Sequence, residues 1–350
     1  MAKKSKKVFV GMSGGVDSSV AAFLLLKEGY DVTGIHIRGY NVDGCAESDA
    51  LMARRAAEHL NIPFYVWNME REYKESVVGY MIDGYKKGIT PNPDVMCNKE
   101  IKFGLFLNKA LKFGADYIAT GHYALLKKDK SGYCLSKAKD SSKDQTYFLW
   151  TLGQNELSKS LFPLGNLLKS EVRTIAKKAG LPNAGKKDSQ GVCFLGKLSM
   201  PDFLSKYISG TPGPIMTANG EVLGEHKGLC FYTLGQRHLG IKGLGNKEAL
   251  YVAKKDKKNN TLIVAPEKDS LLFTKKIFLK DINLVKDMEK ESDIFVRVRY
   301  RQPLMKGKLK IKGSNQAEII FNKPCKFVAP GQSAVFYLPE GDMLGGGVIM

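Results

Sequence analysis

Apolar strands and helices with an apolar face alternate through the first half of this chain. The run KKVFVGM has the composition of a short buried strand, and the apolar helix SSVAAFLLLKEG follows it and ends at Gly29. Further strands are predicted at YDVTGIHIR, IPFYVWNM and ADYIATGHYAL, with the helical segments AESDALMARRAAEHLN and REYKESVVGYMIDGYKKG between them. The alternation predicts an α/β fold with a doubly wound parallel sheet. Ligands of such sheets bind beyond the carboxyl ends of the strands.

The pattern changes in the second half of the chain. KSEVRTIAKKAGLP and MPDFLSKYISG are the last segments with clear helical spacing. Short apolar runs broken by Gly, Pro and Asn follow, and KNN within ALYVAKKDKKNNTLIVAP is typical of a hairpin turn. Alternating strands then fill the chain from DIFVRVRYRQ onward. We therefore predict a catalytic α/β domain at 1–204, a small β-rich central domain at 205–272 and a C-terminal β-barrel at 273–350.

The charge balance adds a class of partner to this picture. Lysine and arginine total 54 against 35 aspartates and glutamates, which gives a net charge of +19 spread along the chain. A distributed positive field suits a long polyanion better than a small acidic metabolite. A lysine-rich organism with generally basic proteins would give the same balance.

Membrane and zinc-binding functions are not indicated. The longest apolar run, Val20 to Leu26, is far too short to cross a bilayer, and the basic MAKKSKK start leads into a strand rather than a signal-peptide core. The six cysteines, at positions 45, 97, 134, 193, 230 and 325, include no CxxC pair. We expect a cytoplasmic protein with its cysteines as thiols, no resident metal site and no membrane partner.

The run SGGVDSS, between the first strand and the first helix, predicts a phosphate site. Backbone N–H groups of a Gly-rich turn and a helix N-terminus converge on an anion there. Gly14 and Gly15 allow close approach, while Ser13, Ser18 and Ser19 would supply hydroxyl donors. Asp17 would repel phosphate unless a magnesium ion lay between them, so it implies Mg²⁺ bound with the nucleotide.

The form of this loop indicates which nucleotide chemistry to expect. It lacks the lysine of a Walker A motif and is not GxGxxG; instead it matches SGGxDS, the pyrophosphatase-loop signature of enzymes that split ATP between the α and β phosphates. Such enzymes transfer AMP to a carbonyl or carboxylate oxygen and so create a leaving group. Substrates of this class include XMP, citrulline, the nicotinate dinucleotide and tRNA. The alternative without a nucleotide is an ordinary Ser/Gly turn that caps a helix.

Two of the cysteines lie in settings that favour reactivity. TPNPDVMCNKEIKF places Cys97 just before a helix with Lys99 and Lys102 nearby, and KKDSQGVCFLG places Cys193 in a Gly-containing loop after two lysines. A helix N-terminus and neighbouring cations favour the thiolate form. The alternative for any single cysteine is a small buried hydrophobe, which is our expectation for the other four.

Blocks spread over nearly the whole chain resemble the bacterial tRNA-specific 2-thiouridylase family. In that family's order they are GMSGGVDSSVAA, NPDVMCNKEIKFG, ATGHYA, KDQTYFLW, DSQGVCFLG, LGQRHLGI, RVRYRQ and APGQSAVFY. The resemblance implies an adenine nucleotide alpha hydrolase-like domain, a small central domain and a β-barrel. It also implies 2-thiolation of the wobble uridine of tRNA: ATP adenylates the 2-carbonyl oxygen, and a cysteine persulfide then delivers sulfur with release of AMP and pyrophosphate. The implied partners are tRNA and a sulfur-carrier protein, and the free protein is expected to be a monomer.

The resemblance also implies roles for single residues. Cys193 would carry the persulfide, and Cys97 would either attack it or assist proton transfer. Asn92, Pro93 and Asp94 would surround the target base, with Asp94 positioning or protonating it. ATP would be bound by Gly11, Met12, Ser13, Gly14, Gly15, Val16, Asp17 and Ser18, with Ile37 and Gly121 lining the adenosine pocket. The residues expected to meet tRNA are His122, Lys143, Asp144, Gln145, Arg299, Tyr300 and Gln332. Ile37 departs from the Met or Leu common at its position, which affects only the detail of adenine contact.

Independent of the resemblance, Arg297, Arg299 and Arg301 alternate in RVRYRQ and would share one face of a strand, as a basic face for RNA phosphate. A solvated strand face is the alternative. Two rival functions also stand. A small-molecule amidating synthetase would need an ammonia source, commonly a glutaminase domain, and none is evident. A non-catalytic RNA-binding protein with a vestigial nucleotide fold would be expected to have lost Asp17, Cys97 or Cys193, and all three are present.

Overall fold

A computed structural model describes residues 5–40, 45–187, 198–237, 239, 249–286 and 288–350 of the chain. The α-helices in these ranges are α1 (Val16–Lys27), α2 (Cys45–His59), α3 (Glu70–Tyr73), α4 (Tyr80–Lys86), α5 (Pro93–Met96), α6 (Leu107–Lys112), α7 (Gln154–Leu157), α8 (Lys169–Lys178) and α9 (Met200–Leu204). Two π-helical stretches, Lys74–Gly79 and Cys97–Phe106, join α3 to α4 and α5 to α6. None of the helices in the described ranges is long and apolar enough to cross a membrane.

The strands form four groups. They are β1 (Lys7–Gly11), β2 (Asp31–Arg38), β3 (Phe64–Asn68), β4 (Tyr117–Ala119), β5 (Leu125–Asp129), β6 (Gly132–Ser136), β7 (Ser160–Leu161), β8 (Gly213–Thr217), β9 (Val222–His226), β10 (Leu250–Asp256), β11 (Thr261–Pro266), β12 (Phe273–Leu284), β13 (Glu291–Arg297), β14 (Met305–Ile311), β15 (Gln316–Lys326), β16 (Ser333–Tyr337) and β17 (Met343–Ile349).

The first sheet is parallel throughout, in the order β3-β2-β1-β4-β7. Its central strand β1 is covered on both sides, so that Val8 and Val10 are fully buried. Parallel sheets of this kind need helices on both faces, which explains the apolar character of β1 and α1. The predicted doubly wound sheet is confirmed. The hairpin β5-β6 lies beside it as a separate two-stranded sheet and was not predicted.

The second group of strands is a four-stranded sheet in the order β10-β11-β8-β9. Strand β11 pairs antiparallel with β10 and parallel with β8. The turn between β10 and β11 contains Asn260 with a φ of 47°, a left-handed conformation that asparagine tolerates well. The hairpin predicted at KNN is therefore confirmed.

The last six strands close a barrel in the order β12-β15-β14-β13-β16-β17, as the alternating pattern predicts. The barrel packs on the segment KDQTYFLW of the first domain. The Trp150 indole donates to Ser333 Oγ at 2.9 Å, and the Tyr147 hydroxyl donates to the Ser333 carbonyl at 3.0 Å. A Cβ added at Gly346 would lie 2.7 Å from the Trp150 ring, so the glycines of β17 make room for the first domain.

Candidate active site

The nucleotide loop joins β1 to α1 at the carboxyl edge of the parallel sheet. Gly14 has a φ of +78°, and a Cβ there would lie 2.4 Å from the Asp49 carbonyl oxygen. Gly15 caps α1 without any side-chain hydrogen bond to the first turn. No side chain thus caps the first turn of α1, and the phosphate site expected at its N–H groups stays a prediction.

The serines of the loop mainly shape its backbone. Ser18 Oγ accepts from the Ser13 N–H at 3.1 Å, and Ser19 Oγ donates to the Gly15 carbonyl at 3.2 Å. Ser19 is fully buried. The prediction that Ser19 supplies a donor to phosphate is therefore wrong, because its hydroxyl is already committed inside the helix.

Asp17 lies in a different environment from the one expected. The Lys169 ammonium contacts its two carboxylate oxygens at 2.6 and 2.8 Å, and the Tyr123 hydroxyl donates to it at 3.0 Å. Lys169 comes from the first turn of α8, distant in sequence. Asp17 therefore has a cationic partner within the protein, and the magnesium ion expected beside it stays a prediction. Among the described residues, no cluster of three or more His, Cys, Asp or Glu side chains is placed to hold a metal.

A second anchor for the loop comes from the chain just before residue 188. Asn183 Nδ2 donates to the carbonyls of Gly14 and Gly15, at 3.1 and 3.0 Å. Lys186 Nζ contacts the Gly14 carbonyl at 3.3 Å and pairs with Asp49 at 2.6 Å. Lys169, Asn183 and Asp49 were missed from the sequence, since only the fold brings these distant positions to the loop. Cys193 lies outside the described residues.

The other residues predicted to bind ATP lie in the loop or on neighbouring strands. Gly121 follows β4, and a Cβ there would lie 2.7 Å from the Ser18 nitrogen, so only glycine allows this close approach. Met12 and Val16 are buried, and the Met12 carbonyl contacts His36 Nδ1 at 2.9 Å. Ile37 is half-buried on β2. Met12 and Val16 are thus core side chains, and only their backbone lies at the loop.

The segment predicted to receive the target base forms the start of a helix. Asn92 caps α5 by accepting from the Val95 N–H at 3.3 Å, and Pro93 occupies the first turn. Asp94 is half-buried. Burial raises the pKa of Asp94 above its ordinary value, and the nearby charge of Lys102 opposes that rise. The surroundings of Asp94 therefore favour the protonated carboxyl.

Cys97 follows three residues after Asp94 on the same continuous helix, so the two side chains share a helix face. Cys97 is buried. The sequence placed it just before a helix, but the helix begins at Pro93 and Cys97 lies in its second turn. That placement was wrong because Asn92 is the capping residue. The helix dipole fades beyond the first turn, so it gives little support for a thiolate here.

His122 lies inside the domain, between this helix and the nucleotide loop. Its Nδ1 contacts Thr120 Oγ1 at 2.7 Å, and its ring packs against Phe103. Burial holds the pKa of His122 well below its ordinary value, and Lys102 lowers it further. The charge of Lys102 thus lowers the pKa of both Asp94 and His122. His122 directly follows Gly121, which packs on the nucleotide loop. The expected tRNA contact of the His122 imidazole stays a prediction, since the side chain is buried.

The barrel contributes to the site through Gln332 and Tyr300. Gln332 Nε2 donates to the carbonyls of Thr90 and Pro91, at 2.9 and 3.2 Å, directly before Asn92. The Tyr300 ring packs on Phe148 with centroids 4.4 Å apart. Asn98, next to Cys97, donates to the Phe148 carbonyl at 3.3 Å. The fold therefore brings Gln332 and Tyr300 next to the helix that carries Asp94 and Cys97.

The three arginines of RVRYRQ do not share a strand face. Strand β13 ends at Arg297, and Arg301 has a φ of 63° in the following turn. Arg297, largely shielded from solvent, forms an ion pair with the buried Asp144 at 3.2 Å. Arg299 donates to the Leu234 carbonyl and packs over the Phe327 ring. The predicted basic face is wrong, because two of these arginines are used in contacts between domains.

The loop at 143–145 is bonded to Tyr123 of the first domain and to Arg297 of the barrel rather than lying on a free surface. Asp144 is buried, and its carboxylate accepts from Thr146 Oγ1 at 2.9 Å. Gln145 accepts from the Tyr123 N–H at 3.0 Å, and the Lys143 N–H donates to the Asp140 carbonyl at 3.0 Å. tRNA contacts at Lys143, Asp144 and Gln145 stay predictions.

The site is that of a nucleotide-binding α/β domain in which the helix of Asp94 and Cys97 packs, through Phe103, on the His122 that follows Gly121 at the nucleotide loop, and two β-domains follow. Three family profiles match consecutive parts of the chain: tRNA methyl transferase HUP domain at 6–197, tRNA methyl transferase PRC-barrel domain at 201–266 and aminomethyltransferase beta-barrel domain at 274–349.

Similar full-length proteins carry a more specific name. A tRNA-specific 2-thiouridylase MnmA of Listeria monocytogenes serotype 4b (strain CLIP80459) is 47% identical over 98% of this chain and 94% of its own. One of Geobacillus kaustophilus (strain HTA426) is 47% identical over 99% of this chain and 96% of its own. The chain belongs to the tRNA-specific 2-thiouridylase family.

Proposed function

We propose that this protein catalyses the ATP-dependent 2-thiolation of the wobble uridine of tRNA. One observation carries the proposal: Asp94 and Cys97 share a helix face, and Lys102 on that helix acts on both Asp94 and the His122 that follows Gly121. Gly121 in turn packs on the nucleotide loop. A loop suited to nucleotide phosphate is thus linked, through Gly121 and His122, to a helix that carries a carboxyl with a raised pKa and a thiol. The name of the relatives, tRNA-specific 2-thiouridylase, supports the same substrate.

The first step activates the uridine. The 2-carbonyl of a uracil ring has no leaving group, so its oxygen attacks the α-phosphorus of ATP. A C–O–P linkage forms, the bond between the α-phosphorus and its bridging oxygen breaks, and pyrophosphate departs. The N–H groups at the start of α1 would bind the phosphates and stabilise the charge that develops there. Gly14 and Gly121 keep that approach open.

The second step replaces the oxygen with sulfur. The terminal sulfur of a persulfide on Cys193 attacks C2, and Cys97 then attacks the Cys193 sulfur. Thiolated tRNA and AMP form, and the two cysteines end as a disulfide that a reductant reopens. In the alternative order Cys97 first attacks the persulfide and frees hydrosulfide, which then attacks C2. If Cys97 instead only assists proton transfer, an external thiol reductant must cleave the Cys193 S–S bond in its place. The atoms balance in both orders, since one sulfur enters and the uridine oxygen leaves on AMP.

Asp94 supplies a proton in this scheme. A general acid works best when its pKa is near the working pH, and burial moves the pKa of Asp94 in that direction. Its carboxyl would hold the base and protonate the ring as the C2–O bond breaks. Lys102 limits the rise in pKa, so the group also remains able to take the proton back.

Magnesium would enter this reaction as the counter-ion of the ATP phosphates. The described residues do not form a metal site of their own, and Asp17 is paired with Lys169. Magnesium is commonly held by substrate phosphates with few protein ligands. No step above depends on a protein-bound metal.

We further propose tRNA and a sulfur-carrier protein as partners in the cytoplasm, with the enzyme monomeric until tRNA binds. The net charge of +19 supports a polyanionic substrate. A persulfide must be loaded onto Cys193 before each turnover, which requires a donor of sulfane sulfur.

The test is mass analysis of nucleosides from unmodified tRNA incubated with the enzyme, ATP, magnesium and a persulfide donor. The proposal predicts 2-thiouridine that depends on ATP and disappears in Cys97→Ser, whereas Cys134→Ser, which replaces a buried cysteine of β6, keeps it. Absence of 2-thiouridine with the wild-type enzyme and a donor shown to be active would contradict the proposal.

A further inference from the structure

The short segment from Lys87 to Pro91, between α4 and the Asn92 cap, is held by both β-domains. On the barrel side, the Thr90 N–H donates to the Pro330 carbonyl at 2.8 Å, and Gln332 binds the next two carbonyls. On the central-domain side, Thr90 Oγ1 donates to Thr233 Oγ1 at 3.1 Å. Three domains therefore meet on the residues that lead into the helix of Asp94 and Cys97.

Two lysines of the central domain bind the carbonyl end of α4. Lys257 Nζ donates to the Lys87 carbonyl at 2.8 Å, and Lys255 Nζ donates to the Gly88 carbonyl at 3.3 Å. Gly88 has a φ of +74°, and a Cβ there would lie 2.9 Å from Lys257 Cε. Lys87 is the C-cap of α4, and the last carbonyls of a helix carry partial negative charge, so the Lys257 ammonium binds favourably there. The Gly88 carbonyl bound by Lys255 lies one residue further along the chain.

The charged form of the Lys255 side chain is disfavoured by its partial burial. Burial lowers the pKa of Lys255 to about 8; the nearby Cys230 thiol opposes this shift and the Lys257 charge adds to it. A lysine buried in this way destabilises the fold in its charged form. Its ammonium nevertheless donates to the Gly88 carbonyl, beside the Lys257 contact with the Lys87 carbonyl, so the two lysines together hold this segment.

The segment packs closely against α4 up to the Asn92 cap. A Cβ added at Gly84 of α4 would lie 2.7 Å from Pro91, so the helix and Pro91 are in close contact. Asn92 follows at once and caps α5. A shift at Gly88 therefore moves the start of the helix that carries Asp94 and Cys97.

We propose that Lys255 and Lys257 are positioning residues for the thiolation reaction, which the central domain uses to fix the helix of Asp94 and Cys97 against the nucleotide loop. This inference rests on the proposed function. It gives the central domain a part in catalysis without any contact with ATP or the base.

The test uses Lys255→Met together with Lys257→Met, and Lys254→Met together with Lys258→Met as the matched control. The control removes the same charge from the same hairpin, where both side chains are exposed. Single-turnover thiolation at saturating tRNA, tRNA affinity, thermal stability and amide hydrogen exchange at Ile89 and Thr90 are measured for each. Lys257→Arg, alone, serves as the conservative variant.

We expect the Lys255/Lys257 variant to lose roughly tenfold in the single-turnover rate, since small misplacements of reacting groups have effects of this order or larger. Its tRNA affinity should equal that of the control, and its thermal stability should not fall below it. Exchange at Thr90 should speed up, and Lys257→Arg should retain the wild-type rate.

Equal single-turnover rates in the Lys255/Lys257 variant and the control would overturn the proposal. So would a loss confined to tRNA affinity, which would assign the two lysines to RNA phosphate. A wild-type enzyme that forms no 2-thiouridine would instead reject the proposed function, so the two failures are distinguishable.

Discussion

Asp94 illustrates how a single residue acquires its chemistry from its surroundings. The sequence shows only an aspartate after Asn-Pro, and the buried start of α5 supplies the raised pKa. Asp17 shows the converse, since a carboxylate that the sequence assigned to magnesium is neutralised by Lys169 from α8. Motifs identify which residues matter, but the charge state and partner of each depend on contacts that span the chain.

Asp94→Asn should separate proton transfer from nucleotide binding. The amide keeps the size of the carboxyl but cannot give up a proton in the same way, so we expect the thiolation rate to fall by on the order of 10²-fold with ATP affinity unchanged. Single-turnover thiolation and an ATP-binding measurement check this. An unchanged rate would remove Asp94 from the proton-transfer step.

The same variant has a pH signature in stability. The folded-state pKa of Asp94 lies above its unfolded value, so the stabilising contribution of the wild-type group is fully present below the unfolded pKa and is lost as pH rises through the folded pKa. Asp94→Asn should therefore melt at a higher temperature than wild type at neutral pH, and the difference should shrink in acid.

At the scale of elements, the periodicity was sufficient for the strands and helices of the parallel sheet and for the barrel. It failed at ends that depend on capping or on other domains. The helix expected to begin after Cys97 begins instead at Pro93, because Asn92 caps it. Strand β13 ends at Arg297, whose side chain binds Asp144. The RVRYRQ alternation looks like a strand throughout, and only the interface with the first domain reveals where the strand stops.

Gly14→Ala tests the loop against a matched glycine. Gly14 and Gly29 both have positive φ, but an added Cβ at Gly14 would lie 2.4 Å from the Asp49 carbonyl oxygen and at Gly29 would meet nothing within 4 Å. Both variants should lose about 1 kcal/mol for the left-handed backbone. Only Gly14→Ala should also displace the loop and so weaken ATP binding, by about tenfold or more. Calorimetric titration with ATP checks it, and equal affinities would show that the loop tolerates the displacement.

At the scale of the whole molecule, the domains are joined through polar groups buried between them. Asp144 and Arg297 pair across the interface with side chains 1% and 11% exposed, and Thr146 Oγ1 contacts the Tyr337 hydroxyl at 3.0 Å. The family resemblance correctly implied three domains, and it implied tRNA contacts at Lys143, Asp144 and Gln145 that stay predictions. It did not reveal that Asp144 lies within an interface, because burial between domains leaves no periodic signal in either segment.

Arg297→Met should destabilise the protein strongly. Removing one partner of a buried ion pair leaves Asp144 charged and unpaired, which costs about 3 kcal/mol. Arg301→Met, at an exposed position of the following turn, should change the free energy of unfolding by less than about 0.5 kcal/mol. Denaturant unfolding of both variants measures the contrast. A similar small effect in both would show that the Asp144–Arg297 pair does not hold the barrel to the first domain.

The account depends most on adenylation of the uridine oxygen, and isotope transfer tests that step directly. A synthetic tRNA substrate carries ¹⁸O at the 2-position of its wobble uridine and is thiolated in ordinary water with ATP and a persulfide donor. The account predicts AMP that carries one ¹⁸O atom for each 2-thiouridine formed. AMP without the label, alongside thiolated tRNA, would contradict it, because the oxygen would then have left by a route that does not pass through ATP.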